Sequence, residues 1–251
     1  MLFLLRQLRR LELRKRSGRY FVYAFGEIVL IVVGILLALQ VSEWNQARKD
    51  RLEEQSILVR LKAEFVENQK RLEERKNHYT EIAGAMRNFL KILKPEPEEH
   101  PDELIHEYMT LLDWAPSYTP NAAVIDPLIA SGRITLIRNE SLSHKLSSWP
   151  RALSVVERNT DYLLQSLLLN MDHLSEFHHY KNIRWIVDKE KGHPGASHFP
   201  YDQKRLLSSP KIESIVARAR VDAESSVVRI DTLIQLQQEI LDLIEQELSN
   251  R

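Results

Sequence analysis

One carboxylate stands in an otherwise uncharged stretch. Glu27 is the sole charged residue from Tyr20 to Ser42, inside the run YFVYAFGEIVLIVVGILLALQVSEW that ends at Trp44. An acid buried in an apolar span is costly, so its chemistry is narrow: it accepts a hydrogen bond across a helix pair, or it carries a proton or ion. At 100° per residue, Gly34 and Ala38 fall within about 20° of Glu27 on a helix, which makes one small-residue face with an acid at its inner end. A third placement has no such role. If the hydrocarbon begins at Ile28, the residues up to Trp44 still reach about 25 Å, and Glu27 sits at the headgroups near Arg19.

The other candidates for chemistry are weaker. Glu103-x-x-His106 and Glu176-x-x-His179 match the Glu-x-x-His unit of di-iron bundles. With 24 Glu and nine His in 251 residues, about one such pair arises by chance. Glu103 also falls in the first turn of its helix, where an acid simply favours the dipole. His173, His178 and His179 read as partly exposed helix residues, or as a pH-sensitive metal patch. The chain has no cysteine, hence no disulfide, thiolate metal site or cysteine nucleophile. No serine–histidine–acid set, phosphate-cradling glycine loop or paired cleft carboxylates stand out, and Ser131 before Gly132 reads as a helix stop. The expectation is a non-enzyme with no cofactor and no metal site.

The 23 positions from Tyr20 to Ser42 cover roughly 35 Å as a helix, enough for a hydrocarbon core of about 30 Å with some tilt. Tyr20 and Tyr23 supply an inner aromatic belt and Trp44 an outer one. Residues 1–19 carry seven Arg and Lys against Glu12 alone, a net of +6, which leaves −6 for the remainder of a chain of zero net charge. Beyond the span stand only Arg48, Lys49 and Arg51, so the basic side is cytoplasmic and the large domain extracytoplasmic. The alternation of Leu and Phe with Arg in 1–19 suits an amphipathic helix on the inner leaflet, ended by Arg19. Nothing aromatic is interleaved for base stacking, which argues against nucleic acid. The apolar run exceeds a signal-peptide core and lacks a small-x-small cleavage site, so it reads as an uncleaved anchor in the bacterial cytoplasmic membrane.

After Trp44 the pattern turns charged and heptadic. The row Leu58, Leu61, Phe65, Asn68, Leu72, Arg75, Tyr79, Ile82, Met86, Phe89, Leu93 has nine apolar members, the signature of a helix packed along one seam. Asn68 and Arg75 interrupt it, as polar residues that set register do. Before Pro95 there is no proline, so span and stalk form one helix, with Gly84 its weak point in the outer half. Lys94–Pro101 is a turn. Asp102 caps a helix to about Trp114, Asn121 opens one over 122–131 that Ser131-Gly132 stops, and Asn139 caps one to Trp149. Pro150 starts a long helix to about Phe177. Residues 181–203 are irregular, with Trp185 plugging onto the core. A last helix over about 211–249 carries two stripes, Val227, Ile230, Ile234, Leu241, Ile244, Leu248 and Leu233, Leu236, Ile240, Leu243. The fold class is all-α: a basic head (1–19), a transmembrane helix (20–44), a stalk helix (45–94), and the remainder of an extracytoplasmic helical bundle (95–251).

Two stretches resemble a family of bacterial single-pass membrane proteins whose role is unassigned. One is Tyr23-Ala24-Phe25-Gly26-Glu27-Ile28, running into Gly34-Ile35-Leu36-Leu37-Ala38-Leu39-Gln40 and Trp44-Asn45. The other is Leu128 to Asn139, LIASGRITLIRN, followed by Leu142 and Leu146. Where the family carries Asn, this chain has Ser42 and Glu43. The resemblance covers the membrane segment and the first half of the outer domain, and it implies topology and no activity.

These readings converge on a non-catalytic interaction, scaffold or sensing module. Its span associates with itself or with another membrane protein, and it sits in a lipid bilayer. Nineteen cytoplasmic residues are too few for a catalytic or receiver domain, so any signal passes to a partner. The alternatives are a component of an ion- or proton-coupled complex that uses Glu27 and, third, a metal-dependent enzyme.

Overall fold

The computed structural model describes residues 2–112, 117–177, 197–199 and 202–249, with side chains from Phe25 onward. In chain order the elements are α1 (Leu2–Ile92), α2 (Asp102–Leu112), α3 (Ile125–Ala130), a 3-10 turn (Arg133–Leu136), α4 (Glu140–Ser175), α5 (Gln203–Leu207) and α6 (Pro210–Ser249). The fold is all-helical, with no strand among the described residues. The chain divides into two units, Met1–Ser56 and Ile57–Arg251.

In the first unit α1 passes through Arg19 without a break, so the separate helix expected over residues 1–19 does not close there. The reason is local: Gly18 is tolerated in a helix, and no proline interrupts the run. Every residue from Phe25 to Lys49 is exposed. Within this stretch lies an 18-residue window of mean hydropathy 2.3 with none of it buried, which makes α1 long and apolar enough to cross a membrane.

In the second unit the row counted from Leu58 is the row the fold buries, all eleven residues from Leu58 to Leu93, Asn68 and Arg75 included. Phe65 packs against Trp149 of α4 with ring centroids 5.3 Å apart, and Phe89 stacks on Tyr108 of α2 at 5.0 Å. α6 runs antiparallel to α1. Lys62 meets Glu245 (2.8 Å), Gln69 meets Gln238 (3.0 Å) and Lys76 meets Asp231 (2.7 Å), so seven residues up one helix are seven residues down the other. Such exposed pairs contribute roughly 0–1 kcal/mol each, and their value here is to fix the register. α6 is antiparallel to α4 as well: Asn139 donates to Glu247, Lys145 pairs with Glu239, and Asn159 donates to the Ser226 hydroxyl. The buried line on α6 takes in the facing members of both expected stripes, Ile230, Leu241 and Ile244 of one and Leu233 and Ile240 of the other, together with Ile212, Val216, Ala223, Ser226 and Gln237. Val227, Ile234, Leu236, Leu243 and Leu248 are half-buried along its edges.

Three local expectations are corrected. Pro150 lies inside α4, which runs on as one helix. The buried row Leu142, Leu146, Trp149, Leu153, Val156, Thr160 continues on both sides of the proline, and its packing outweighs the lost hydrogen bond. Asn121 does not open a helix, because its backbone is engaged by Asn68, and α3 begins only at Ile125. Asp102 is the first residue of α2 rather than a cap, with its carboxylate accepting from Gln203 (2.9 Å). α2 is described over Asp102–Leu112; the expected end at about Trp114 lies outside the described residues, as does Trp185. Elsewhere local chemistry holds. Asn139 caps α4 by accepting from the Leu142 amide (3.0 Å), and Gly132, at φ 71°, ends the α3 turn in the left-handed region.

Candidate functional site

The span residues are placed on one helix and left open. Glu27, Gly34 and Ala38 are all exposed, and a Cβ added at Gly34 would meet nothing within 4 Å. Trp44 is exposed as well, while the side chains of Tyr20 and Tyr23 fall outside the described part. Among the described residues of the first unit no side chain covers this face. Glu103 is exposed on the first turn of α2 and Glu176 at the end of α4; His178 and His179 lie outside the described residues. His173 stands 2.5 Å from the Lys211 ammonium, a neighbour that disfavours metal binding there. Among the described residues no three His, Asp or Glu side chains gather as metal ligands do.

What the sequence did not disclose is a buried polar layer in the second unit. Four side chains of α1 grip the loop that precedes α3. Glu64 accepts from the amides of Val124 (2.6 Å) and Ile125 (3.1 Å) and so caps a helix start that has no side-chain cap of its own. Burial pushes its carboxyl above the ordinary 4.5, although these two amide bonds pull the other way. Asn68, fully buried, donates to the Asn121 carbonyl (2.7 Å) and accepts from the Asn121 amide (2.8 Å). Arg71 donates to the Thr119 carbonyl (3.2 Å) and pairs with Glu67, which also takes the Asn121 side-chain amide.

One turn further along α1, Arg75 is only 4% exposed. Its guanidinium donates to the Thr160 hydroxyl of α4 and lies over two rings, Tyr79 (5.5 Å) and Tyr118 (5.9 Å). Among the described residues no carboxylate pairs with it, and its Nε and Nη1 find no protein acceptor. Burial pushes the Tyr79 phenol up and the Tyr118 phenol up to about 12. The Tyr118 hydroxyl approaches Gln237 of α6 without closing a well-formed hydrogen bond. Thr160, Ser226 and Gln237 complete this layer; their trace in the sequence is that each falls on the buried row of its helix where an apolar residue is the norm.

Among the described residues of the second unit, two hollows stand out. A narrow one of about 60 Å³, between Tyr79, Ile82, Leu112, Leu163 and Ala223, has room for a few waters, well below the ~300 Å³ of a typical small-molecule site. A wider groove of about 410 Å³ lies along α4 and α6, where Arg158, Tyr162 and Arg229 flank Asp222. Burial pushes the Asp222 carboxyl up despite Arg218 and Arg229 beside it. The polar layer is built to hold backbone and rings together. Comparison of the chain with protein-family models, with curated proteins and with solved structures finds no match.

Proposed function

We propose that this chain is a single-pass protein of the bacterial cytoplasmic membrane, with an arginine-rich N-terminus in the cytoplasm and a non-catalytic helical module outside. That module serves interaction, scaffolding or sensing. The observation that carries the reading is the uncovered apolar stretch of α1, in which an 18-residue window has no buried residue at all. A contiguous apolar surface of that size is far beyond what a water-soluble monomer exposes, and a bilayer is the solvent that suits it. The +6 charge of residues 1–19 supports the orientation. Within the span, Glu27, Gly34 and Ala38 form the face through which copies of the span, or another membrane helix, pack closely. The part of the polar layer formed by Glu64, Glu67, Asn68 and Arg71 is engaged with the loop before α3, which supports a structural and recognition role over a catalytic one.

The cysteine-free sequence makes the topology directly testable. Ser147→Cys, exposed on α4, should react with a membrane-impermeant maleimide in intact spheroplasts, and Ser17→Cys only after lysis. The reverse pattern overturns the orientation, and release of the chain by alkaline carbonate overturns the span.

A further inference from the structure

Beyond Trp44, α1 exposes three large apolar side chains, Leu52, Val59 and Val66, at 62%, 52% and 50%, and they are spaced seven apart. Exposed Ser56 and Ala63 lie between them, giving spacings of four, three, four and three. This is the knob row of a coiled coil, with small residues alternating with larger ones, on the side of α1 turned away from the row buried in its own core. Counted further back along the helix, the row meets Lys49 and then Asn45, where its apolar run ends. No described element packs on this row.

Charge decides what does. With Ser56 and Ala63 taken as positions a, and Leu52, Val59 and Val66 as positions d, the flanking g positions are Arg48, Gln55 and Lys62. The flanking e positions are Glu53, Arg60 and Glu67. In a parallel pair each g residue faces the e residue five further along the other helix. That places Arg48 opposite Glu53 and Lys62 opposite Glu67, two attractive pairs, with Gln55 opposite Arg60 neutral. An antiparallel pair would instead set Arg48 against Lys62 and Glu53 against Glu67. Parallel is also the one arrangement open to two copies inserted in a membrane with the same orientation. We propose that a second copy of this chain occupies the row, pairing α1 with α1 in parallel and in register through Leu52, Ser56, Val59, Ala63 and Val66.

The inference rests on the single-pass reading and extends its self-association outside the lipid. Five side chains, three of them about half exposed, cover far less than the ~800 Å² per partner of a stable dimer. The pairing therefore depends on the span to hold two copies close, where effective concentrations reach the millimolar range. Lys62 and Glu67 already contact Glu245 and Arg71 in their own copy, and Glu53 and Arg60 also have partners there, so the attraction across the pair is shared and modest.

The test uses full-length single-cysteine variants in native membranes, oxidised with copper phenanthroline. Val59→Cys and Val66→Cys should yield a disulfide-linked dimer at least tenfold more than Val228→Cys, whose residue on α6 is 65% exposed. Adding Lys62→Glu to Val59→Cys should lower the yield, and Glu67→Lys on top of it should restore it. Equal yields at the three positions, or cross-links to a product of any other mass, overturn the second-copy assignment. Absence of cross-links in protein that carbonate leaves in the pellet overturns the pairing and keeps the membrane reading. Protein released by carbonate overturns that reading and the inference with it.

Discussion

Asn68 and Asn121 exchange two hydrogen bonds: the Asn68 side-chain amide donates to the Asn121 carbonyl at 2.7 Å, and the Asn121 backbone amide donates to the Asn68 carbonyl oxygen at 2.8 Å. A side chain thus plays the part of a neighbouring strand for one residue of a loop. Gln203 treats His100 in the same way, accepting from its amide (3.0 Å) and donating to its carbonyl (2.8 Å). Asn68→Leu fits the apolar row in size but strands both Asn121 backbone groups. Leaving a part-buried donor and acceptor unmade should destabilise by about 1 to 3 kcal/mol, measured by chemical denaturation of the full chain in detergent. If Asn68→Leu matched or exceeded the native stability, Asn68 would be a register device alone and the loop would be held by other means.

Glu64 gives a prediction with a sign. Its folded carboxyl lies above 4.5, so between 4.5 and that raised value the folded chain keeps a proton that the unfolded chain releases. Stability attributable to Glu64 is therefore greatest at and below pH 4.5 and declines as the pH rises through the raised value. Glu64→Gln removes this dependence and also turns an amide donor toward one of the Val124 and Ile125 amides, which should cost about 1 to 3 kcal/mol at pH 7. Relative to Glu64→Gln, the native chain should gain stability on going from pH 7 to pH 4.5. A relative loss over that range would mean that the two amide bonds, not burial, dominate the carboxyl.

How much of this was legible follows from the range of the interactions. The row from Leu58 to Leu93, the Asn139 cap and the Gly132 stop are written within a few residues of where they act, and periodicity or turn chemistry reveals them. Asn68 was visible as a break in the row, but its partner is 53 residues away, and that of Gln203 is 103 away. No local signal links such pairs. Pro150 misled because proline chemistry at a first turn is a local rule, whereas the Trp149–Phe65 packing that carries α4 through it is tertiary. Ser226 and Gln237 hid inside a helix whose buried line draws on both apparent stripes. At the span the reverse applies: Glu27, Gly34 and Ala38 are plain in the sequence, and the fold adds only that none of the described residues of the first unit covers them.

Gly84 offers an easy gain. It sits within α1, and a Cβ at this position would meet nothing within 4 Å. Alanine restricts the unfolded chain and suits a helix, so Gly84→Ala should stabilise by about 0.5 to 1 kcal/mol, seen as a higher denaturation midpoint with an unchanged slope. A lower midpoint would show that the glycine serves a closer approach than the structure contains.

Tyr118 tests the layer around Arg75. The cation lies over the Tyr118 ring at 5.9 Å, and burial raises the phenol from 10 to about 12. Between pH 10 and 12 the folded chain keeps a proton that the unfolded chain loses, so this group's contribution falls as the pH climbs through that window. A shift of this size corresponds to about 1 to 3 kcal/mol across it. Tyr118→Phe retains the ring face beneath Arg75 and discards a hydroxyl that closes no well-formed bond, so at pH 7 it should stay within about 1 kcal/mol of the native chain. Compared from pH 9 to 12, the native chain should lose stability faster than Tyr118→Phe, because the variant carries no phenol to ionise. Parallel curves for the two would place the hydroxyl in water, and a loss above about 3 kcal/mol at pH 7 would give it a firm partner in the layer.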